Sequence, residues 1–119
     1  MSAWGHRIEV ATEPGIDVMT DRAVLVVLIA NELITNATKY AYRDDQRGTI
    51  WVRVARGVDD IIELSVRDEG GGVPADFEVR SAPGLGMRII RALSQQLKAT
   101  VEVRRLDPGT EFVVTAPGE

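Results

Sequence analysis

The chain has 119 residues, of which 45% are hydrophobic and 27% charged, so it is long enough to bury one core and is not an intrinsically disordered segment. The formal net charge of -4 argues against general nucleic-acid binding, and the lack of cysteine excludes disulfides and thiolate metal sites. The longest apolar run, residues 23–30, is too short to cross a bilayer. We therefore predict a single domain over residues 1–119, without direct membrane contact, in the cytoplasm or in the cytosolic part of a larger protein.

The hydrophobic pattern predicts strands and helices in a definite order along the chain. Residues 6–11 predict a first strand, which holds the only histidine, His6. A turn at 13–15 precedes a long helix from an N-cap at Thr20 to about Tyr42. Further segments are a hairpin (49–55 and 61–66), a helix opened at 84–86 and closed by Lys98, and a second hairpin (101–105 and 111–115). This order predicts an α/β two-layer sandwich whose mixed, mostly antiparallel sheet is covered on one face by helices.

The first helix carries the strongest candidate for a functional site. At about 100° per residue, one side of this helix presents a carboxylate, a carboxamide, an ammonium and a phenol: Glu32, Asn36, Lys39 and Tyr40. Ala30, Ile34, Ala37 and Ala41 form an apolar sector roughly opposite. The alternative is that these polar residues are only the solvated side of an amphipathic helix.

Two glycine-containing segments favour a binding site. Asp68 ends a predicted strand and is followed by Gly70 and Gly72, so a carboxylate able to accept a hydrogen bond from an adenine amine stands beside backbone that a ligand can approach closely. The Gly84-Leu85-Gly86 segment opens a helix, where free N–H groups and the helix dipole favour a phosphate. The alternative for each segment, taken alone, is an ordinary turn or helix start without a binding role, since such glycine-containing segments are common. Neither a Walker A motif nor a G-x-G-x-x-G after a strand is present, which argues against P-loop and Rossmann domains.

Taken together, the helix box, the D-x-G-x-G at 68–72, the G-L-G at 84–86 and the late Gly109-Thr110 resemble the GHKL superfamily of ATP-binding domains. Within it, the chain is most similar to the catalytic and ATP-binding domain of a bacterial sensor histidine kinase. The resemblance covers nearly the whole chain and implies a Bergerat-type fold. Two departures are a short loop at 73–83 where a nucleotide lid is expected, and no clear phenylalanine box, since Phe77 is the only aromatic residue there.

The resemblance implies a role for each matching residue. Asn36 would bind Mg²⁺, Lys39 would contact phosphate, Tyr40 would lie against the nucleotide, and Glu32 would orient or deprotonate the attacking nucleophile. Asp68 would bind the adenine amine with help from Thr110. The glycines at 70, 72, 84 and 86, together with Leu85, would form the surrounding backbone. Arg88 and Arg91 are expected to be solvated rather than to assist.

The function implied by the resemblance is transfer of the γ-phosphate of Mg·ATP to a histidine on a separate dimerisation domain, followed by transfer to a response regulator. His6 is not expected to be that acceptor, because it falls in a strand. As an isolated fragment the domain should phosphorylate itself poorly or not at all. The main alternative is an anti-sigma factor or serine switch kinase of the same superfamily, and a second is an interaction module without nucleotide binding.

Overall fold

The structure is a computed structural model that describes residues 2–3, 6–12, 20–41 and 48–118. Six strands form one sheet in the order β1-β2-β3-β4-β6-β5. The strands are β1 (Ser2–Ala3), β2 (His6–Thr12), β3 (Thr49–Arg56), β4 (Ile61–Asp68), β5 (Thr100–Arg105) and β6 (Thr110–Pro117). Among the described strands, β2 and β3 pair in parallel and the other neighbours are antiparallel. The predicted mixed, mostly antiparallel sheet is confirmed. The short edge strand β1 was not predicted, and the predicted turn at 13–15 lies outside the described residues.

Two helices cover one face of the sheet. Helix α1 spans Thr20–Asn36 and continues as a π-helical turn over Ala37–Ala41, while α2 spans Leu85–Leu97. Lys98 closes α2, as predicted, and it does so in the left-handed conformation. None of the helices in the described part of the chain is long and apolar enough to cross a membrane.

The core lies between the helices and the strand residues that point towards them. Ile29 and Leu33 of α1 and Ile90 and Leu97 of α2 are at most 1% exposed, and they pack over alternate residues of β3, β4 and β6. The buried stripe of α1 therefore runs through Ile29, Leu33 and Ala37, whereas Ala30 and Ile34 are only partly buried. The prediction therefore placed the buried side of α1 one residue too late at Ala30 and Ile34, and correctly at Ala37. Residues 23–30 are apolar on almost every side of the helix, so the sequence did not determine which side faces the sheet.

The opposite face of the sheet is polar where β3 and β4 pair. Trp51 and Arg67 are cross-strand partners on this face, and the guanidinium carbon of Arg67 lies 4.2 Å from the centre of the Trp51 ring. A cation held over an indole in this way is attracted by the negative ring face. Trp51 therefore packs on the sheet, on the side away from the helices.

Arg22 joins the first turn of α1 to the end of α2 and the end of β6. Its Nη2 donates to Leu97 O at 2.6 Å and its Nε donates to Pro117 O at 2.9 Å. Because the C-terminal carbonyls of a helix have no partner within the helix, a cation there is favourable. We expect Arg22→Met to lower the free energy of unfolding by about 1–2 kcal/mol in urea denaturation. The exposed Arg88→Met serves as the control, and an equal effect of both changes would contradict this role.

Candidate functional site

A cavity of about 440 Å³ opens between α1, the start of α2, the end of β4 and the start of β6. Its volume is in the range of small-molecule sites. Seven of the predicted site residues line it: Asn36, Asp68, Gly72, Gly84, Leu85, Gly86 and Thr110. The helix box, the D-x-G-x-G segment and the G-L-G segment, which are distant in sequence, therefore meet at one place.

The α1 wall brings Glu32 and Asn36 against the first turn of α2. A Cβ atom at Gly86 would lie 3.1 Å from Glu32 Oε2 and 3.2 Å from Asn36 Oδ1, so the two oxygen atoms lie close together beside this glycine. The Asn36 amide nitrogen donates to the sulfur of Met87 at 3.7 Å, a weak hydrogen bond. Glycine at position 86 thus allows α2 to approach both polar groups, and the Asn36 carboxamide is oriented from α2.

The inner end of the cavity is formed by Asp68 and Thr110, the facing residues of β4 and β6. Asp68 is 5% exposed, and its Oδ1 accepts a hydrogen bond from the Gly70 amide at 2.9 Å. Burial raises the pKa of the Asp68 carboxyl above its usual value, although hydrogen bonds from the amides of Gly70 and Thr110 oppose that shift. Gly70 does not line the cavity, so here its backbone holds the carboxylate instead of facing a ligand.

The hydroxyl of Thr110 has no hydrogen-bond partner in the described part of the chain. Its Oγ1 is buried and makes no hydrogen bond to any of the described residues. A buried hydroxyl without a hydrogen bond is unfavourable, and such atoms are rare in folded proteins. Because Thr110 lines the cavity beside Asp68, a bound ligand or a water molecule would supply the missing partner.

The raised pKa of Asp68 predicts how its substitution changes stability. The folded chain holds the carboxyl proton more tightly than the unfolded chain, so ionisation costs folding free energy as the pH rises through the folded-state pKa. We expect Asp68→Asn to raise the thermal unfolding temperature relative to wild type at neutral pH. This difference should shrink at low pH, where the wild-type carboxyl is protonated in both states.

The measurement is thermal unfolding from acidic to neutral pH, with Asp76→Asn, an exposed carboxylate in the loop, as the control. A difference between wild type and Asp68→Asn that does not depend on pH would contradict the role assigned to burial.

The loop at 73–83 forms the outer wall of the cavity through Val73, Pro74, Phe77, Ala82 and Pro83. It begins after Gly72 (φ 79°) and ends before Gly84 (φ 103°), both in the conformation that favours glycine. The Phe77 ring packs edge-to-face against Phe112 of β6, with the ring centres 6.0 Å apart. The lone aromatic residue of the short loop therefore anchors it to the sheet.

Sequence reasoning missed the apolar part of the lining. Leu33, Ala37, Val66, Met87 and Phe112 contribute to the cavity as well as to the core or its edge. Their helix or strand periodicity is the same whether they pack on other side chains or on a ligand. No signal in the sequence separates the two roles.

Two residues of the helix box, Lys39 and Tyr40, lie in a part of α1 that departs from regular α-helical geometry. The helix widens into a π-helical turn directly after Asn36, so the 100° step no longer gives the direction of later side chains. Lys39 is exposed and does not line the cavity, and the Tyr40 side chain lies outside the described part of the structure. Lys39 therefore does not join Asn36 in lining the cavity, and its phosphate role stays a prediction.

The fold is a two-layer α/β domain with a cavity beside the helix box. The chain belongs to the family described as histidine kinase-, DNA gyrase B- and HSP90-like ATPases, whose family model matches residues 21–119. It is therefore an ATP-binding domain of the GHKL superfamily with the Bergerat-type sandwich, as the sequence predicted.

Among the relatives and solved structures that resemble this chain are histidine kinases. The chain is 31% identical over 102 residues to blue-light-activated histidine kinase 2 of Erythrobacter litoralis, covering 86% of this chain and 30% of that protein. The structure of the Erythrobacter litoralis EL346 blue-light-activated histidine kinase superposes with a TM-score of 0.87 at 29% identity, over 96% of this chain and 36% of that one. Full-length ShkA in complex with AMPPNP gives a TM-score of 0.78 at 26% identity, over 96% of this chain and 26% of that one.

Anti-sigma factors match a smaller part of the chain. The anti-sigma F factor of Geobacillus stearothermophilus is 34% identical over 65 residues, which cover 55% of this chain and 44% of that protein. The histidine kinases match more of the chain, although the chain spans only about 30% of the kinase relative's own length. The similarity therefore favours the kinase domain over the serine switch kinase.

Proposed function

We propose that the domain binds Mg·ATP and, within a longer cytoplasmic or membrane-attached sensor, donates the γ-phosphate to a histidine on a separate helical dimerisation domain. From there the phosphoryl group passes to an aspartate of a response regulator. The domain itself binds neither nucleic acid nor membrane. The observation that carries the proposal is the buried hydroxyl of Thr110, which has no partner among the residues that the structure describes. It lies beside the buried carboxyl of Asp68, at the inner end of a cavity in an ATP-binding fold.

The pair formed by Asp68 and Thr110 suits adenine. The carboxylate accepts a hydrogen bond from the exocyclic amine, and the Thr110 hydroxyl completes the polar contacts of the base directly or through a water molecule. The apolar walls contributed by Val66 and Phe112 suit the faces of the ring. In this proposal the phosphates point towards Gly84 and Gly86 at the start of α2, where backbone amides and the helix dipole favour anions.

The polar residues fit a magnesium ion that takes few ligands from protein. Among the described residues no three His, Cys, Asp or Glu side chains form a metal site. Mg²⁺ in nucleotide sites keeps several waters and is held by phosphates with one or two protein oxygens, a role suited to Asn36 Oδ1. When bound, the ion supplies neutralisation of phosphate charge in a domain with a net charge of -4.

Phosphoryl transfer needs placement of the reacting groups more than covalent help from the protein. An imidazole nitrogen of the acceptor histidine attacks the γ-phosphorus, an N–P bond forms, and the bond to the β-phosphate oxygen breaks to release ADP. Glu32, one turn before Asn36, orients the imidazole or accepts its proton. Lys39 binds phosphate and Tyr40 lies against the nucleotide.

The test of nucleotide binding is calorimetric titration of ATP into the purified domain, with and without Mg²⁺. We expect binding that is strengthened by Mg²⁺ and weakened at least tenfold in Asp68→Asn, which removes a charged hydrogen-bond acceptor. Asp76→Asn is the matched control because this exposed carboxylate does not line the cavity. If a folded wild type binds no ATP, the interaction-module alternative replaces this proposal.

The acceptor is tested on the full-length protein with ATP labelled at the γ-phosphate. A phosphohistidine is lost in acid and survives alkali, whereas a phosphoserine survives acid. We expect an acid-labile product on a residue outside this domain, and none on the domain alone. An acid-stable product on a separate protein would identify the serine switch kinase instead.

A further inference from the structure

The outer wall of the cavity, residues 73–83, is held by two arginines that do not line the cavity themselves. Arg91 of α2 donates from Nη1 to Val79 O at 2.9 Å and to Ala82 O at 2.8 Å. Arg105, at the end of β5, donates from Nη2 to the carbonyls of the first half of the loop: Pro74 and Ala75 at 3.2 Å, and Phe77 at 3.3 Å. The loop is thus held from two separate elements, one on each half.

We propose that Arg91 and Arg105 are positioning residues that fix residues 73–83 as a pre-formed wall of the nucleotide site. The proposal rests on the proposed function, since it concerns affinity for adenine nucleotides at that site. A ligand that meets an already ordered wall does not bear the entropy cost of ordering it.

Arg91 is the stronger of the two contacts. The two N–H bonds of its Nη1 match two carbonyl oxygens at short distances, and the side chain is partly buried. Arg105 is exposed, and one Nη2 group with two N–H bonds serves three oxygens at longer distances. The expectation that Arg91 is merely solvated was wrong. The sequence alone does not show that loop carbonyls lie beside this position of the helix.

The contacts act together with packing and turns inside the loop. Ala82 is 5% exposed, and its amide donates to Glu78 O at 2.8 Å, while the Phe77 amide donates to Pro74 O at 3.0 Å. Each arginine binds carbonyls within or beside these turns, so releasing it frees backbone that carries cavity-lining side chains such as Phe77 and Ala82. Arg91 and Arg105 therefore reach the ligand only through the loop.

The experiment compares Arg91→Gln, Arg91→Lys and Arg105→Gln with wild type in two measurements. The first is amide hydrogen exchange of residues 73–83 without nucleotide, where the amides of Phe77 and Ala82 report on the turns. The second is the affinity for Mg·ADP and for adenosine, which has no phosphate. Arg104→Gln is the matched control, since Arg104 pairs with Glu102 and Glu111 instead of with the loop.

We expect Arg91→Gln to speed exchange in the loop and to weaken both ligands by roughly tenfold, with Arg105→Gln weaker in effect and Arg91→Lys intermediate. Unchanged exchange, or faster exchange with unchanged affinity, would overturn the proposal. Loss of Mg·ADP affinity alone, with adenosine unaffected, would also overturn it and identify Arg91 as a phosphate ligand. Hydrogen exchange is measured without nucleotide, so its result does not depend on the proposed function. The proposed function itself fails if the folded wild type binds neither Mg·ADP nor adenosine.

Discussion

Replacement of Asn36 by alanine is expected to remove the dependence of ATP binding on Mg²⁺ and to weaken Mg·ATP binding by roughly 10- to 100-fold. The reason is that Asn36 is the carboxamide lining the cavity next to Glu32 and the first turn of α2. Among the described residues no acidic or histidine cluster can replace it as a metal ligand. Binding in EDTA should change little, because the contacts to the base at Asp68 and Thr110 remain.

The measurement is calorimetric titration of ATP with and without Mg²⁺, after circular dichroism has established that the variant is folded. Gln96→Ala, which removes an exposed carboxamide from α2, is the matched control and should bind like wild type. An Asn36→Ala domain with wild-type affinity in Mg²⁺ would remove Asn36 from the site. Equal weakening with and without Mg²⁺ would mean that the carboxamide shapes the cavity rather than holding the ion.

Replacement of Gly109 by alanine is expected to destabilise the fold strongly, although it adds only one methyl group. Gly109 has φ 103°, and a Cβ atom there would overlap the Asp68 carbonyl oxygen and lie 2.8 Å from both the Asp68 carbonyl carbon and Glu69 Cα. The strained backbone and the overlap together should cost about 3–5 kcal/mol of unfolding free energy. This is a large part of the stability of a small domain, and urea denaturation will measure it.

Gly84→Ala separates the two contributions to this cost. Gly84 has the same φ of 103°, yet a Cβ atom there would meet nothing within 4 Å. Its substitution therefore reports the backbone strain alone, and the excess loss in Gly109→Ala reports the overlap with β4. Equal losses in the two variants would show that the pair of strands carrying Asp68 and Thr110 can move apart without cost.

Ionisation of the Asp68 carboxyl has opposite effects on the stability of the fold and on the binding of ATP. Its burial raises the pKa and makes the charged form costly in the folded chain, while the charged form is the better acceptor for an adenine amine. Affinity for ATP should therefore fall as the pH decreases through that pKa, in the same range where the stability difference from Asp68→Asn disappears. Agreement between the two pH profiles would assign both effects to one carboxyl.

The sequence correctly predicted the strands and helices whose hydrophobic residues recur with a clear period. The β3–β4 hairpin has alternating residues such as Ile50 and Val52 that are buried in the structure, and α2 buries Met87, Ile90 and Leu97 at helical spacing. The sequence also predicted the reversal before Thr110 and the end of α2 at Lys98. Such signals are local, because each depends on a few neighbouring residues and on the direction of their side chains.

Local sequence signals could not predict the rotation of α1 about its axis or the path of its last turn. The run before Asn31 is apolar on several sides, and Val24, Val27 and Leu28 remain exposed in the structure. Hydrophobic patterning therefore could not choose between neighbouring stripes. The π-helical turn at Ala37–Ala41 then redirects the residues after Asn36, and no local propensity indicates it.

The sequence by itself determined the elements, the fold class and the chemical types brought to the site, because periodicity and glycine or cap positions are properties of short segments. Only the tertiary structure decided that Asn36, Asp68 and Thr110 share one cavity, that the Thr110 hydroxyl is left without a partner among the described residues, and that Arg91 binds loop carbonyls. These features depend on distances between segments far apart in the chain. They are set by how the helices pack on the sheet, which no pattern within one segment contains.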